Sequence, residues 1–300
     1  MKVLNFGSLN ADHVYRVPHL ARPGETVAST AYQRFAGGKG ANQSVALARA
    51  GAPVAHAGSI GPEGLWLRDR LAAEGVDVRA IRVADGPGGH ALIQVDDSGQ
   101  NSIVLFPGAN ATIATEHVQA ALGGLQRGDV LLLQNEINAT PELLATGRAA
   151  GLRVVFNPAP MSTAVLNYPL DGVDLLIVNE HEAAALGGGT GVDAWLAGLA
   201  RRLPQADLCL TLGADGAIYQ KAGGPRWSCP APRVRAVDTT AAGDTFIGFL
   251  LAAGLQGAAE PAALATACRA AAVSVTRPGA MDSIPRPAEV DAFFAANPLV

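Results

Sequence analysis

Short apolar runs alternate with segments of helical periodicity along most of this chain. The runs lie at 3–6, 54–57, 130–133, 154–156, 175–178 and 208–212. They are nearly continuous in apolar residues and too short for helices, as expected of parallel strands that helices cover on both faces. Helical segments such as 40–50 and 63–74 lie between them and end at glycines. The alternation predicts a three-layer α/β/α sandwich with a mostly parallel central sheet, formed as one domain over residues 1–300.

Two stretches, 12–35 and 90–106, break this rhythm. In the second, Leu92, Gln94 and Asp96 alternate before the turn 97–100, and the apolar residues 103–105 follow it. This pattern predicts short strands joined by turns. We expect a small β-sheet inserted at the ligand edge of the α/β body, where it acts as a lid that excludes water. The alternative is an ordinary hairpin at the edge of the main sheet.

Charge and composition exclude several classes of partner. Lys and Arg total 22 against 26 for Asp and Glu, without a basic block, so we expect neither nucleic acid nor an anionic membrane surface as a partner. No apolar run approaches the roughly 18 residues of a membrane span, and no signal peptide is evident, which predicts a cytoplasmic protein. Cys209, Cys229 and Cys268 fit neither a disulfide framework nor a zinc site, so we expect reduced, structural cysteines.

The segment 237–246 combines small residues with a carboxylate in front of an apolar helical pattern. Asp244 is therefore predicted near a helix N-terminus, where small side chains let an anion approach the backbone N–H groups and the helix dipole favours negative charge. A phosphate could bind there with a base beside it. The alternative is that Asp244 is simply the N-cap of that helix.

A second polar cluster, 37–42, precedes the predicted helix at 40–50. Its paired glycines allow close approach of a ligand to the backbone, and Asn42 offers donors and an acceptor to hydroxyl groups, which suits a polyol. The spacing is not that of a Walker loop. Asn10 and Asp12 follow the first predicted strand, and Asp12 could accept bonds from two sugar hydroxyls, although Asp and Asn also form turns at such positions.

Seven motifs carry a family resemblance. They are Gly7-Ser8-x-Asn10-x-Asp12, Gly37-Gly38-Lys39-Gly40-Ala41-Asn42, Pro107-Gly108-Ala109-Asn110, Asn157-Pro158-Ala159-Pro160, Asn179-Glu180-x-Glu182, Thr211-Leu212-Gly213-x-x-Gly216 and Asp238-Thr239-x-Ala241-Ala242-Gly243-Asp244-Thr245-Phe246. Between about residues 3 and 293 the chain resembles the ribokinase branch of the phosphofructokinase-B sugar kinases. The resemblance implies transfer of the ATP γ-phosphate to the primary (5-) hydroxyl of ribose or a closely related sugar.

The resemblance also implies roles for individual residues. Asp244 would be the catalytic base, and Ala241, Ala242 and Gly243 would form an anion hole, in agreement with the needs of phosphoryl transfer. The residues implied for the sugar are Asn10, Asp12, Gly38, Lys39, Asn42, Glu136 and Asp244. The residues implied for ATP are Asn179, Thr211, Gly213, Asp215, Gly216, Gly243 and Cys268, of which Cys268 fits a core position better.

Two metal ions are implied in the same way. Asn179 and Glu182 would organise Mg²⁺ and its waters near the ATP phosphates. A monovalent cation, K⁺, would bind mostly through backbone carbonyls at Asp238, Thr240, Ser274, Arg277, Gly279 and Ser283, and we expect the Arg277 side chain to pack or form a salt bridge instead.

Some alternatives stay open on the sequence. His90 begins a predicted strand of the lid and either reaches the sugar or is a solvated hairpin residue. Another sugar or nucleoside kinase of the same fold, or a non-catalytic sugar-binding regulator, would keep much of the pattern. The resemblance and the apolar positions Leu92, Ile103 and Leu105 together predict a homodimer through the lid.

Overall fold

The computed structural model describes residues 1–297 and contains two β-sheets. The strands are β1 (Val3–Phe6), β2 (Asn10–Arg16), β3 (Ala31–Gly37), β4 (Val54–Ile60), β5 (Asp77–Val83), β6 (Gly89–Val95), β7 (Asn101–Phe106), β8 (Val130–Leu133), β9 (Arg153–Phe156), β10 (Leu175–Asn179), β11 (Asp207–Thr211), β12 (Ala217–Gln220) and β13 (Arg226–Cys229). The helices are α1 (Lys39–Arg49), α2 (Leu65–Ala73), α3 (Thr115–Leu122), α4 (Thr140–Ala149), α5 (Glu180–Gly187), α6 (Val192–Arg202), α7 (Ala242–Leu255), α8 (Glu260–Ser274) and α9 (Pro287–Ala296).

The central sheet has the order β13-β12-β11-β10-β9-β8-β1-β4-β5. The strands from β11 to β5 in this order are parallel, while β12 and β13 form an antiparallel edge. Each apolar run identified in the sequence lies on one of the parallel strands. The predicted sheet, mostly parallel with helices on both sides, is therefore confirmed.

Two hydrophobic cores lie on the two faces of this sheet. Along β8, Val130 and Leu132 enter one core while Leu131 and Leu133 enter the other, because successive side chains of a strand point to opposite faces. Helices α1, α2, α7, α8 and α9 cover the first core, and α3 to α6 cover the second. No helix within residues 1–297 is long and apolar enough to span a bilayer.

The second sheet has four strands in the order β3-β2-β6-β7. It is separate from the central sheet, so the alternative of an ordinary edge hairpin is wrong. Its strands begin slightly earlier than predicted, at Asn10 and Gly89, because the ladder between β2 and β6 already pairs these two residues. The sheet thus starts within four residues of the end of β1, at the carboxyl edge of the central sheet.

Helices α1 and α7 pack against each other at very short range. A Cβ atom on Gly248 of α7 would lie 2.3 Å from the Cβ of Ala46 and 2.7 Å from its carbonyl carbon, so glycine permits this approach. Gly40 has the same function at the start of α1, since a Cβ there would lie 2.5 Å from the backbone nitrogen of Ser8. Gly248 thus lets α7 pack closely against α1, and Gly40 lets the start of α1 pack against the chain that follows β1.

Candidate active site

Polar side chains collect where the parallel strands end, as the fold class predicts. Ser8 and Asn10 follow β1, Glu136 follows β8, and Asn157 follows β9. The first turns of α1 and α7 face the same edge. A cavity of about 350 Å³ lies here, and its wall includes the predicted residues Lys39, Asn179, Glu182, Thr211, Thr240, Ala241, Gly243 and Asp244. A larger open cavity of about 540 Å³ lies at the amino ends of β1 and β4 and contains none of the predicted site residues.

Asp244 is the third residue of α7 and is only 7% exposed. Its Oδ2 accepts a hydrogen bond from Asn42 Nδ2 at 3.0 Å, and its Oδ1 accepts one from Gln43 Nε2 at 2.9 Å. The N-cap of α7 is Ala241, with no side-chain capping bond, so the interpretation of Asp244 as a cap is wrong. A buried carboxylate held by two amides and bordering a cavity is available to accept a proton.

The backbone before Asp244 has an unusual conformation. Ala241 has a left-handed φ of 59°, which costs a non-glycine residue roughly 1 kcal/mol or more. Asp238 braces the turn, because its Oδ1 accepts bonds from Thr240 N at 2.9 Å and Thr240 Oγ1 at 2.6 Å. The first N–H groups of a helix have no intrahelical partners, and the helix dipole adds positive potential in front of them. Ala241 and Gly243 line the cavity, whereas the Ala242 N–H donates to Thr239 C=O at 3.3 Å. The anion hole at 241–243 stays a prediction.

Three charged residues interact where the second sheet approaches the start of α1: Asp12 on β2, Glu136 after β8 and Lys39 on α1. Burial, followed by repulsion from Glu136, raises the pKa of the Asp12 carboxyl to about 7. Burial likewise raises the pKa of Glu136, partly opposed by Lys39 and by hydrogen bonds from Ser8 Oγ and from Lys39 N at 2.9 Å. Burial alone would lower the pKa of the Lys39 ammonium, but the carboxylates of Asp244, Glu136 and Glu182 outweigh burial and raise it.

The other residues predicted for the sugar lie beside these three. Asn10 Oδ1 accepts a bond from Asn110 Nδ2 at 2.8 Å, and Asn110 in turn holds the Leu9 backbone. Gly38 has φ +91° and N-caps α1, a conformation that favours glycine. Asn42 Oδ1 is buried and has no hydrogen-bond partner among residues 1–297, while Asn42 Nδ2 donates to Asp244. That free acceptor beside the carboxylate is well placed for a ligand hydroxyl.

The pair predicted to organise Mg²⁺ forms a capping box on α5. Asn179 Oδ1 accepts from Glu182 N at 2.9 Å, and Glu182 Oε2 accepts from Asn179 N at 3.0 Å. Burial raises the pKa of Glu182, and a cation bound nearby would stabilise its ionised form. Within residues 1–297 no cluster of three or more acidic, His or Cys side chains could hold a metal alone. One carboxylate on a cavity fits Mg²⁺ that is also bound by phosphates and waters.

The segments predicted for the monovalent cation meet beside the start of α7. Asp238 Oδ2 accepts a bond from Gly279 N at 2.9 Å, and Asp238 N donates to Val275 C=O at 3.2 Å. The Ser274 and Ser283 hydroxyls each donate to a carbonyl of their own turn. Arg277 forms a salt bridge of 2.8 Å with Glu289, which confirms the prediction for its side chain.

The residues predicted for the nucleotide are more dispersed. Thr211 ends β11 at the cavity wall, while Gly213 and Asp215 are exposed in the next turn and Gly216 is buried against the Cys229 carbonyl. Cys268 lies in the hydrophobic core, as the sequence favoured. Burial and the neighbouring Cys229 thiol raise the pKa of its thiol to about 12. Cys268 therefore packs beneath this region and does not form the cavity wall.

His90 lies on the opposite face of the second sheet from Asp12. It pairs in register with Ala11, whereas Ala91 pairs with Asp12, and neighbouring residues of a strand point to opposite faces. Its ring contacts Phe106, with the centroids 5.1 Å apart, and meets His13 edge-on at 6.1 Å. This position favours a packing role within the sheet over contact with a sugar near Asp12.

Sequence reasoning missed three residues of this site. Gln43 binds Asp244, Asn157 Oδ1 accepts a bond from Gln43 Nε2 at 3.3 Å, and Ser8 Oγ donates to Glu136. Ser8 and Asn157 lie inside quoted motifs but were given no role. For Gln43 a signal existed, because three consecutive polar residues at 42–44 on a short helix cannot all face water. A buried amide requires a partner, which points to a polar site on that side.

Comparisons with known proteins agree with this geometry. The family model described as pfkB family carbohydrate kinase matches residues 1–287. The ribokinase of Haemophilus influenzae is 39% identical over 288 residues, which cover 93% of this chain and 94% of that protein.

Two solved structures have the same fold along almost their whole length. Ribokinase of Cryptococcus neoformans in complex with ADP has a TM-score of 0.85 and 34% identity, covering 97% of this chain and 99% of that chain. Arabidopsis thaliana ribokinase complexed with ribose and ATP has a TM-score of 0.85 and 29% identity, covering 97% of each chain. The family match spans nearly the whole chain, and the first of these relatives exceeds 30% identity over nearly its full length. The chain belongs to the pfkB family of carbohydrate kinases.

Proposed function

We propose that this protein transfers the γ-phosphate of ATP to the primary hydroxyl of ribose. The observation that carries the proposal is the buried Asp244 carboxylate, which lies one residue after the predicted anion hole of 241–243 and beside the cavity. Relatives with this fold include a ribokinase complexed with ribose and ATP. Nothing in this arrangement suggests a non-catalytic regulator, because the candidate base and the metal-organising acid Glu182 share one cavity.

Asp244 would act as the general base. The sugar hydroxyl loses its proton to the carboxylate while its oxygen attacks the γ-phosphorus, the bond to the bridging oxygen breaks, and ADP leaves. The N–H groups at 241–243 would stabilise the charge on the transferring phosphoryl group. The Lys39 ammonium faces Asp244, Glu136 and Glu182, so it would lie between the sugar and the phosphates and balance their charge.

The sugar would bind between the second sheet and the first turn of α1. Asp12 and Glu136 supply carboxylate acceptors, and Asn42 Oδ1 supplies an acceptor that has no partner in the protein. Such acceptors favour a ligand rich in hydroxyl groups, because a buried acceptor left without a donor costs about 1 to 3 kcal/mol. The second sheet would close over the sugar as a lid that excludes water.

Two ions would assist the reaction. Mg²⁺ bound with ATP would be organised from Asn179 and Glu182 and would shield the negative charge of the phosphates. K⁺ would bind at the junction of 238–240 with 274–283, where Asp238 already ties the two segments together. The Asp238 carboxyl has a lowered pKa: burial raises it, but hydrogen bonds from Thr240 and Gly279 outweigh burial. It therefore stays anionic beside the start of α7.

We also propose that the second sheet pairs with that of a second copy of the chain. Five large apolar residues of the sheet are 44% to 65% exposed: Leu92, Ile103, Val104, Leu105 and Phe106. A small sheet that exposes apolar side chains gains stability when another surface covers it. A cytoplasmic location stays a prediction.

The function is tested with a panel of pentoses and hexoses, with ATP consumption measured in the presence of Mg²⁺ and K⁺. We expect ribose to be the preferred acceptor and Asp244→Asn to lower turnover by a factor on the order of 10² or more, with ATP and sugar affinity little changed. The asparagine keeps the shape of the side chain but loses the proton acceptor. Preference for a hexose, or near-parent turnover of the variant, would contradict the proposal.

A further inference from the structure

We propose that Gln43 is a positioning residue that orients the Asp244 carboxylate, and that Gln134 fixes the direction of the Gln43 amide. This inference rests on the proposed function of Asp244 as the base. It gives a role to a buried network of polar side chains behind the site. The network consists of Asn5, Gln43, Ser44, His56 and Gln134, which line neither the cavity nor the solvent-exposed surface.

Both oxygens of Asp244 are held from α1. Asn42 donates to Oδ2 and Gln43 donates to Oδ1, at 3.0 and 2.9 Å. Adjacent residues of a helix point about 100° apart, so their side chains must differ in length to reach the same carboxylate. Here the shorter side chain is Asn42 and the longer one is Gln43. With both oxygens fixed, the carboxylate cannot rotate, and its remaining lone pairs keep one direction toward the cavity.

The amide of Gln43 can have only one orientation. Gln134 Nε2 donates to Gln43 Oε1 at 2.6 Å, so Gln43 must present its NH₂ group to Asp244. The second hydrogen of that NH₂ group points to Asn157 Oδ1 at 3.3 Å. If the amide were reversed, its oxygen would face the carboxylate and its NH₂ group would face the NH₂ group of Gln134. Two repulsive contacts would then replace two hydrogen bonds.

The orientation of Gln134 is fixed in turn from the far side. Gln134 Nε2 also donates to Asn5 Oδ1 at 2.9 Å, and Asn5 Nδ2 donates to Ser44 Oγ at 2.9 Å and to Gly40 C=O at 2.7 Å. Ser44 Oγ meets His56 Nδ1 at 2.8 Å. Asn5, Gln43, Ser44 and His56 are fully buried and Gln134 is 1% exposed, so water cannot replace a lost partner.

This network of side chains carries no charge at neutral pH, because burial lowers the pKa of His56 to about 3. The charged groups that act on Asp244 are Lys39 on α1 and Glu136 after β8, with Glu182 on α5 acting on Lys39. None of them contacts Gln43 in the structure. A change in the pH profile after substitution of Gln43 would therefore report on Asp244 itself.

The first variant is Gln43→Met, which keeps the length of the side chain and removes its donor. We expect the single-turnover rate of phosphoryl transfer to fall on the order of 10- to 100-fold, since a misplaced reacting group loses about this much. Sugar and ATP KM should stay within about threefold. Loss of a hydrogen bond to the ionised carboxylate should move the acid limb of the pH profile toward higher pH than in the parent.

Two further variants separate positioning from damage to the fold. Gln134→Met leaves Gln43 in place but frees its amide, so the same changes should appear with a smaller size. Gln256→Met is the control, because it removes an amide that donates to Ala50 C=O at the other end of the α1 and α7 pair. Its single-turnover rate and pH profile should match the parent.

A double-mutant cycle tests whether Gln43 acts through Asp244. In the Asp244→Asn background, Gln43→Met should lower the rate by less than about threefold, because a positioning residue has nothing left to orient. If the rate loss of the double variant equals the product of the two single losses, the inference is overturned. A parent-like rate and pH profile of Gln43→Met would overturn it as well. Should Asp244→Asn itself retain the parent rate, the proposed function fails, which is a distinct result.

Discussion

Asp12 is a partly buried carboxyl whose proposed role in sugar binding would be sensitive to pH. Within residues 1–297 its side chain receives no hydrogen bond, and its carboxylate packs directly against Gly37, where an added Cβ would lie 2.0 Å from Asp12 Oδ2. Burial and Glu136 raise its pKa from 3.8 to about 7. Hydroxyl donors from a sugar would favour the ionised form of Asp12, so binding of a sugar would lower its pKa.

The raised pKa of Asp12 predicts a pH dependence of stability. Because the folded-state pKa lies above the unfolded value, this carboxyl supports folding most below about pH 4, and the support is lost as pH rises to 7. Across that window the free energy of unfolding of the parent should fall by roughly 2 to 4 kcal/mol relative to Asp12→Asn, allowing for partial screening. Urea unfolding of both proteins at several pH values measures the difference. A difference that does not change with pH would show that folding does not raise the pKa of Asp12.

The same residue should govern sugar affinity. Asp12→Ala is expected to raise the sugar KM by the 1 to 3 kcal/mol typical of a missing buried partner, roughly 5- to 150-fold, while the ATP KM stays near the parent value. Steady-state kinetics with each substrate varied in turn provides the measurement. Equal loss for both substrates would point to a defect of the fold.

At the scale of elements, the site depends on how closely two helices approach. Asp244 belongs to α7, whereas both of its hydrogen-bond donors belong to α1, so the carboxylate is held only while the helices stay in contact. Gly248 lies one turn after Asp244 and lets the helices meet at Ala46. The packing of the helix pair and the geometry of the base are therefore coupled.

A glycine pair on α7 tests this coupling. Gly248→Ala should lower the free energy of unfolding by about 1 to 3 kcal/mol through overpacking, and should reduce turnover because α7 must move away from α1. Gly254→Ala is the matched control on the same helix, where no atom lies within 4 Å of the added Cβ. It should stabilise the protein by up to about 1 kcal/mol and leave turnover unchanged. Thermal unfolding and steady-state kinetics of both variants suffice. Parent-like stability and turnover of Gly248→Ala would show that the helices can separate freely.

At the scale of the whole molecule, a cluster of exposed apolar side chains lies on the second sheet. Strand β7 is exposed along its length, with Ile103, Val104 and Leu105 each more than half exposed. Leu105 is in register with Ala91, which pairs with Asp12, so Leu105 and Asp12 lie on the same face of the sheet, the face proposed to bind the sugar. An assembly through this sheet would thus affect closure of the site.

Sedimentation at micromolar concentration should show a homodimer of the parent. Leu105→Asp should dissociate it, with activity falling in parallel, because a charge would be buried in the interface. Val83→Asp is the control, since Val83 is 47% exposed on β5 of the central sheet, away from the second sheet. A parent that sediments as a fully active monomer of about 30 kDa would reject the dimer.

The sequence by itself determined the architecture and much of the site. Continuous apolar runs predict six of the seven parallel strands, because a strand covered on both faces has no solvent side to encode. The edge strand β5 (Asp77–Val83) was not predicted, since it is mostly only partly buried and its sequence is interrupted by charged residues. The motifs predict which residues meet, since carboxyl ends of parallel strands share one edge. Asp244, Lys39 and Glu182 therefore lie around one cavity, as their motifs imply.

Only the tertiary structure decided what holds these groups and what state they adopt. Gln43 is next to Asn42 in sequence, yet its partners Asp244 and Gln134 lie 201 and 91 positions away, and no local pattern encodes those contacts. The raised pKa of the Asp12 carboxyl likewise comes from burial within the fold, where it packs against Gly37, and from Glu136, which is distant in sequence. Periodicity records which side of an element is buried. Hydrogen-bond partners and charge states depend on which elements pack together, and packing is a property of the whole fold.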